Sequence, residues 1–237
     1  MGGMSSPVGR RTLFRAGAAV LIGALLVACG GDDDTTAGGT VSLNGATVPE
    51  GRPAMDLTPA QQTAGRDVVM IGDSLTVGST PGIESAAEQL GVQLTIYAEV
   101  GRRITVGGGQ GAGIDVVEDV IDDGVPDLLV IALGTNDIGK YASQEEYEAQ
   151  INQLLDLIPD STPVAWINTY LRDDPDDSAE FNAALIAALE TRGNATIAKW
   201  SNIATEDGIL EDGIHPGDDG RAEFADLVGT EIENWLN

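Results

Sequence analysis

The chain has 237 residues, with 38 acidic against 12 basic side chains and a formal charge of -26. Such an acidic excess repels phosphate backbones and anionic lipid headgroups, which argues against nucleic acid as a partner and for a well-solvated surface. A hydrophobic content of 42% is ordinary for a globular protein, and the length allows one sizeable core with extensions, or two small domains at most.

The first segment reads as an address. Arg10-Arg11-Thr12-Leu13-Phe14-Arg15 is followed by an uncharged, mostly apolar run from Ala16 to Ala28. That run is shorter than the roughly 20 residues a bilayer span needs, and it fits the apolar region of an export signal behind a basic one. It ends in Leu26-Val27-Ala28-Cys29, which resembles a bacterial lipobox, in which the cysteine becomes the lipid-modified first residue of the mature protein. Residues 1–28 are therefore expected to be a lipoprotein signal peptide and Cys29 the lipidation site, anchoring the protein to the outer face of the cell membrane. The paired arginines resemble a twin-arginine signal, while the general secretory route also accepts such a region. Cys29 is the only cysteine, so no intramolecular disulfide can form. The three arginines before Cys29 are matched by no acidic residue, which leaves nine basic residues against 38 acidic ones from Cys29 onward. Residues 29–65 are rich in Gly, Asp and Thr, lack a sustained apolar period, and read as a flexible tether.

From Arg66 to Asn237 strand-like runs alternate with helix-like ones. The strand candidates are Val68–Ile71, Gln93–Tyr97, Asp127–Leu133, Val164–Thr169 and Thr196–Trp200; they are short and largely apolar, as in a parallel sheet covered on both faces. Ile83 to Leu90 is a helix candidate, and Ile114, Val117 and Ile121 share a face on the next. Between Ser143 and Ile158, Ser143 and Glu146 have capping-box spacing, Tyr147, Ile151, Leu154, Leu155 and Ile158 form one stripe, and Pro159 ends it. Phe181, Leu185 and Leu189 mark another helix with Gly193 as its stop, and a last helix runs from about Gly220 to Leu236. This alternation predicts an α/β fold, a three-layer α/β/α sandwich on a parallel sheet whose functional crevice lies beyond the carboxyl ends of the strands.

The chemistry-bearing residues fall at those ends. Asp67-Val68-Val69-Met70-Ile71 stops at Gly72-Asp73-Ser74-Leu75, which can present Ser74 to a cleft as a nucleophile. Gly101 follows the second strand, Gly134-Thr135-Asn136-Asp137 ends the third, and His215 lies in Asp212-Gly213-Ile214-His215-Pro216 before the last helix. His215 is the only histidine, and histidine is the side chain suited to general base work near neutral pH. Each residue also has a simpler reading: Ser74 as a helix cap, Asn136 and Gly101 as turn formers, His215 as a helix-entry residue.

Gly72-Asp73-Ser74-Leu75, Gly101, Gly134-Thr135-Asn136-Asp137 and Asp212-x-x-His215 resemble, in order, the four blocks of the SGNH (GDSL) hydrolases. The resemblance covers Arg66 to Asn237, the expected hydrolase domain (66–237). It implies a flavodoxin-like α/β/α sandwich with a five-stranded parallel sheet and no metal or organic cofactor. It further implies Ser74 as nucleophile, His215 as its base and Asp212 as the residue holding the imidazole. The oxyanion donors would be the backbone N–H groups of Ser74 and Gly101 and the carboxamide of Asn136. Asp73, Thr135 and Asp137 are expected to support the loops, and Arg102 and Arg103 either to meet an acidic substrate group or to pair within the structure.

Val100-Gly101-Arg102, Ile167-Asn168-Thr169-Tyr170, Trp200 and Asp212-Gly213-Ile214-His215 further resemble the SGNH domains of cell-envelope acyltransferases, which O-acetylate glycans. Lys199 departs from that pattern, as does the lack of a multi-pass donor module in this sequence. The expected activity is thus hydrolysis of small-acyl esters, O-acetyl carbohydrate among them; the alternatives are O-acyl transfer to envelope glycan with a partner donor, and a non-catalytic envelope-binding lipoprotein. Replacing Cys29 by serine is expected to move the protein from the membrane pellet to the soluble fraction; continued tight membrane association would refute lipid anchoring.

Overall fold

The apolar run after Arg66 forms the centre of a sheet. The structure, a computed structural model, describes residues 65–107 and 111–237, together with two short strands upstream. Those strands, β1 (Thr40–Leu43) and β2 (Ala46–Pro49), pair antiparallel in a unit of their own within Met1–Ala54. This ladder falls where the sequence suggested only a tether. The export signal, Cys29 and most of the tether lie outside the described residues.

Within Met55–Asn237 the elements are β3 (Asp67–Gly72), α1 (Ser74–Leu90), β4 (Gln93–Ala98), α2 (Gly113–Asp123), β5 (Leu128–Ala132), α3 (Gln144–Leu155), β6 (Val164–Ile167), α4 (Pro175–Arg192), β7 (Ala195–Ala198), α5 (Trp200–Ala204) and α6 (Asp218–Leu236). The five strands β3 to β7 form one parallel sheet in the order β4-β3-β5-β6-β7. Met70 in β3 stands level with Ile96 on one side and Val130 on the other. This is the flavodoxin-like order, in which the chain leaves β3 toward one edge and returns to its other side, opening a crevice at the carboxyl end of β3.

Alternate residues of the inner strands feed two cores. Val69, Ile71, Leu129, Ile131 and Trp166 face α2, α3 and α4, while Val68, Met70, Leu128, Val130 and Ile167 face α1, α5 and α6. That is why β3, β5 and β6 read as continuous apolar runs. Each fully buried Leu, Ile or Val contributes roughly 1.5–3 kcal/mol, so the two faces together hold the three layers. β4 behaves differently: it is an edge strand with alternating exposure, and Tyr97 is 41% exposed. The sheet is thus covered on both faces only in its interior.

Helix boundaries depart from the sequence expectation where small residues misled it. Gly78, Pro81 and Gly82 look like breakers, yet α1 starts at Ser74 and continues through them. The small residues serve packing against α6: a Cβ on Gly82 would sit 2.7 Å from that of Ala225, and one on Gly229 would sit 3.1 Å from that of Ala86. Trp200 opens α5 rather than closing β7, and packs edge-on against Phe224 with ring centroids 5.1 Å apart. At α3 the Ser143 hydroxyl accepts from Glu146 N at 3.4 Å, but the Glu146 carboxylate accepts from Ala142 N rather than from Ser143 N.

The turn after α3 is held by one side chain from α4. The Arg192 guanidinium donates to the carbonyl oxygens of Leu155, Ile158, Pro159 and Thr162 at 2.8–3.2 Å. Truncation would leave four partly buried acceptors without that partner. Arg192→Ala is expected to lower unfolding stability by roughly 2–4 kcal/mol in urea titrations, well above the effect of an ordinary surface substitution.

Candidate active site

At the carboxyl end of β3 the chain passes through Asp73 into α1. Gly72 is required there, because a Cβ would collide with the Thr76 side chain. Asp73 caps the helix: its Oδ1 accepts from Leu75 N at 3.0 Å. Ser74, the first helical residue, is half-buried at the sheet rim, and its own N–H has no acceptor among the described residues. The helix N-terminus places a partial positive charge at this point.

The histidine arrives from the opposite side of the crevice on a tight loop before α6. Leu210 and Pro216 form an isolated antiparallel bridge, and Glu211 N donates to His215 O at 2.8 Å. Inside this loop Asp212 Oδ1 accepts from Ile214 N at 3.0 Å and His215 N at 2.7 Å, while Oδ2 lies 2.8 Å from His215 Nδ1. His215 Nε2 lies 3.1 Å from Ser74 Oγ. The backbone N–H of His215, then its ring and the N–H of Ile214, hold the Asp212 carboxyl well below the usual carboxylate range. Asp212 is therefore an acceptor at neutral pH. This places the imidazole proton on Nδ1 and leaves Nε2 to accept from the Ser74 hydroxyl.

Asn136 follows β5 in a turn started by Gly134, whose φ of +125° suits glycine and whose missing side chain leaves room for the Phe181 ring. The Asn136 carboxamide nitrogen donates to Arg102 O at 3.1 Å and lies 3.3 Å from Asp73 Oδ2. It therefore sits between the serine turn and the loop after β4. In that loop Arg102 N donates to Glu99 O, and Gly101 occupies the third position of the turn at φ +79°. A left-handed residue there is what a type II turn demands. The Gly101 N–H has no acceptor among the described residues, and a Cβ on Gly101 would meet open space.

The five catalytic and oxyanion residues singled out in the sequence thus come to one rim. Ser74, His215 and Asp212 are joined directly, and Asn136 and Gly101 are joined through Arg102 O. The supporting residues are where the blocks suggested. Asp137, fully buried, accepts from Arg103 Nε and Ile104 N, both at 3.0 Å, and ties two loops together. Arg102 and Arg103 are committed to partners inside the protein rather than aimed at a substrate. One contributor carried no sequence signal: Arg172, after β6, donates its backbone N–H to Gly213 O at 2.9 Å and its guanidinium to Leu210 O at 2.7 Å, bracing the histidine loop. A groove of about 190 Å³ lined by Pro163, Asn194, Thr196 and Trp235 lies at the other end of the strands, away from this chemistry.

A family model for GDSL-like lipases and acylhydrolases matches residues 70–222, which includes every block just described. The chain belongs to that family. Its fold agrees with solved structures of SGNH hydrolases. The Enterococcus faecalis lipase/acylhydrolase superposes with a TM-score of 0.60 at 18% identity, over 71% of this chain and 96% of the other. The C-terminal catalytic domain of Streptococcus pneumoniae peptidoglycan O-acetyltransferase A gives 0.57 at 20% identity, over 73% and 93%. The psychrotrophic esterase EstA from Pseudoalteromonas gives 0.58 at 16% identity, over 72% and 99%. Comparison with curated proteins returned no match. This SGNH hydrolase therefore has an esterase- or acyltransferase-type fold, and its family is one of ester-hydrolysing enzymes.

Asp73 has a titration consequence. Burial pushes its carboxyl up to about 6, against the opposing pull of the Leu75 N–H, the Thr135 hydroxyl and His215. Since the folded value lies above the ordinary 3.8, the protonated form favours the fold; that contribution is complete below about pH 4 and is lost as pH rises through 6. Asp73→Asn keeps an oxygen for Leu75 N and removes the desolvated charge. Its stability relative to the unsubstituted protein is expected to improve by on the order of 2–3 kcal/mol between pH 4 and pH 7 in denaturant titrations. Parallel profiles would contradict this.

Proposed function

We propose that this SGNH hydrolase is a serine esterase for short acyl groups, O-acetyl esters of carbohydrate among them, working through an acyl-enzyme on Ser74. The observation that carries the proposal is the continuous relay Asp212 Oδ2–His215 Nδ1 and His215 Nε2–Ser74 Oγ, at 2.8 and 3.1 Å. In the first half-reaction Ser74 Oγ attacks the ester carbonyl carbon and its proton passes to His215 Nε2. The tetrahedral intermediate collapses, His215 returns the proton to the departing alcohol, and the acyl group stays on Ser74. Water then attacks the acyl carbon, gives its proton to His215, and a second collapse releases the acid and restores the serine. Asp212 holds the imidazolium formed in each half. The N–H groups of Ser74 and Gly101, which have no acceptor among the described residues, would receive the charge that develops on the carbonyl oxygen. The Asn136 carboxamide would join them by giving up its longer bond, the one to Asp73 Oδ2.

Openness supports a substrate with a bulky alcohol part. The His215 and Asp212 side chains are 44% and 56% exposed, and Gly101 stands at the surface. Anchored by Cys29 outside the cell membrane, such a site would meet envelope carbohydrate. The second reading, transfer of the acyl group to a glycan hydroxyl, is favoured by the resemblance of Val100-Gly101-Arg102 and Ile167-Asn168-Thr169-Tyr170 to the pattern of envelope acyltransferases; it replaces water by a sugar hydroxyl in the second half-reaction.

Release of p-nitrophenol from p-nitrophenyl acetate is the expected activity. Ser74→Ala or His215→Ala should remove nearly all of it, and Asn136→Ala should lower kcat about 10²–10³-fold with the fold intact. Absence of turnover together with absence of Ser74 labelling by a fluorophosphonate would leave only a binding role. Acetyl transfer to a chito-oligosaccharide in preference to water would favour the second reading.

A further inference from the structure

Arg102 is a buried cation whose cost needs an explanation. Only 6% of the residue is exposed, and burial lowers the guanidinium's proton affinity against the opposing pull of Glu99 and Asp73. Its Nε is buried without a partner, and its nearest carboxylate contact, Nη2 to Glu99 Oε2, is a loose 3.6 Å. An ion pair alone does not account for a guanidinium placed this way.

What the side chain does closely is join two strand ends. Arg102 Nη1 donates to Tyr97 O near the end of β4 at 2.6 Å and to Gly72 O at the end of β3 at 3.2 Å. Gly72 lies two residues before Ser74. The backbone of the same residue does the rest: its N–H closes the turn onto Glu99 O at 3.2 Å, and its carbonyl accepts from Asn136 Nδ2 at 3.1 Å. Every oxyanion donor named above is therefore covalently close to, or hydrogen-bonded to, a group that Arg102 holds. Carbonyls at the carboxyl ends of parallel strands point into the crevice, where the two N–H groups of one guanidinium nitrogen, Nη1, bridge two of them.

We infer that Arg102 is the positioning residue of the oxyanion site, setting the spacing of the Ser74 turn, the Gly101 turn and the Asn136 carboxamide without itself touching the substrate. This rests on the esterase reading above for its catalytic consequence, but not for its geometry. Loss of this bridge frees the strand ends to separate, which moves donors from their places while leaving the Asp212–His215 pair, built on another loop, in register.

The test uses Arg102→Met and Arg102→Lys in the full chain. With p-nitrophenyl acetate, Arg102→Met is expected to lower kcat about 10–10²-fold, less than outright removal of a donor, with KM and the pH profile of kcat little changed. Combined with Asn136→Ala the loss should be clearly less than the product of the two single losses, because both act on one oxyanion site. Arg102→Lys, which retains the charge and point donors, should recover part of the rate, and it replaces Arg102→Met if the latter does not fold. Independently of turnover, the Asn136 side-chain and Gly101 backbone N–H resonances should shift in nitrogen-15 spectra while those of the His215 loop stay in place. Multiplicative losses in the double variant, a displaced pH profile, or unmoved Asn136 and Gly101 resonances would each overturn the assignment. If the unsubstituted protein turns over no ester, the esterase reading fails and the resonances alone decide the positioning role.

Discussion

A carboxyl group with almost no access to water sits where β3 becomes α1, and much of the site depends on it. Asp73 satisfies an otherwise orphaned donor at the start of α1 and touches the Asn136 carboxamide that defines the far side of the crevice. It thus fixes Ser74 as the first residue of a helix, not as part of a loop free to wander. A neutral cap would give the same hydrogen bond at less desolvation cost. The charged one also draws the Asn136 amide and the Arg102 guanidinium toward a single point.

Around that point the protein adds hydrogen bonds between loops to the packing beneath them. The two cores fix the strands and take in Ile104, Leu133 and Ile138 from the loops after β4 and β5, and hydrogen bonds then join those loops to one another at the rim. Asp137 and Arg103, Arg102 and the strand-end carbonyls, and Arg172 under the histidine loop do the joining. Three of the few basic residues in a strongly acidic chain are spent this way.

Much of this was legible in the sequence, for definable reasons. Strands β3, β5 and β6 are buried on both faces, so their apolar runs announce them; β4 is an edge strand, and its alternation of exposed and half-buried residues reflects one uncovered side. The start of α1 was missed because glycine and proline suggest helix breaks when neighbours are unknown. In the fold the same glycines let α6 approach. Ser74, Asn136, Asp212 and His215 could be named because each stands at a strand end or in a loop with a distinctive residue pattern. Arg102 and Arg172 could not be assigned their tasks, because what they hold are backbone carbonyls, and carbonyls leave no trace in residue identity.

The contact between Gly134 and Phe181 links the crevice to the interior. Phe181 belongs to α4 and packs edge-on against Tyr147 of α3, with centroids 5.5 Å apart, so the glycine that begins the Asn136 turn rests on the aromatic centre of one core. A methyl group at position 134 would push on that aromatic centre, and a larger ring at 181 would push on the turn. The two positions can therefore change over evolutionary time only in concert. Drift in the hydrophobic interior of this enzyme is filtered by its chemistry, and substrate range is more freely altered from the exposed side of the crevice, where Val100 and Ile214 have no such obligations.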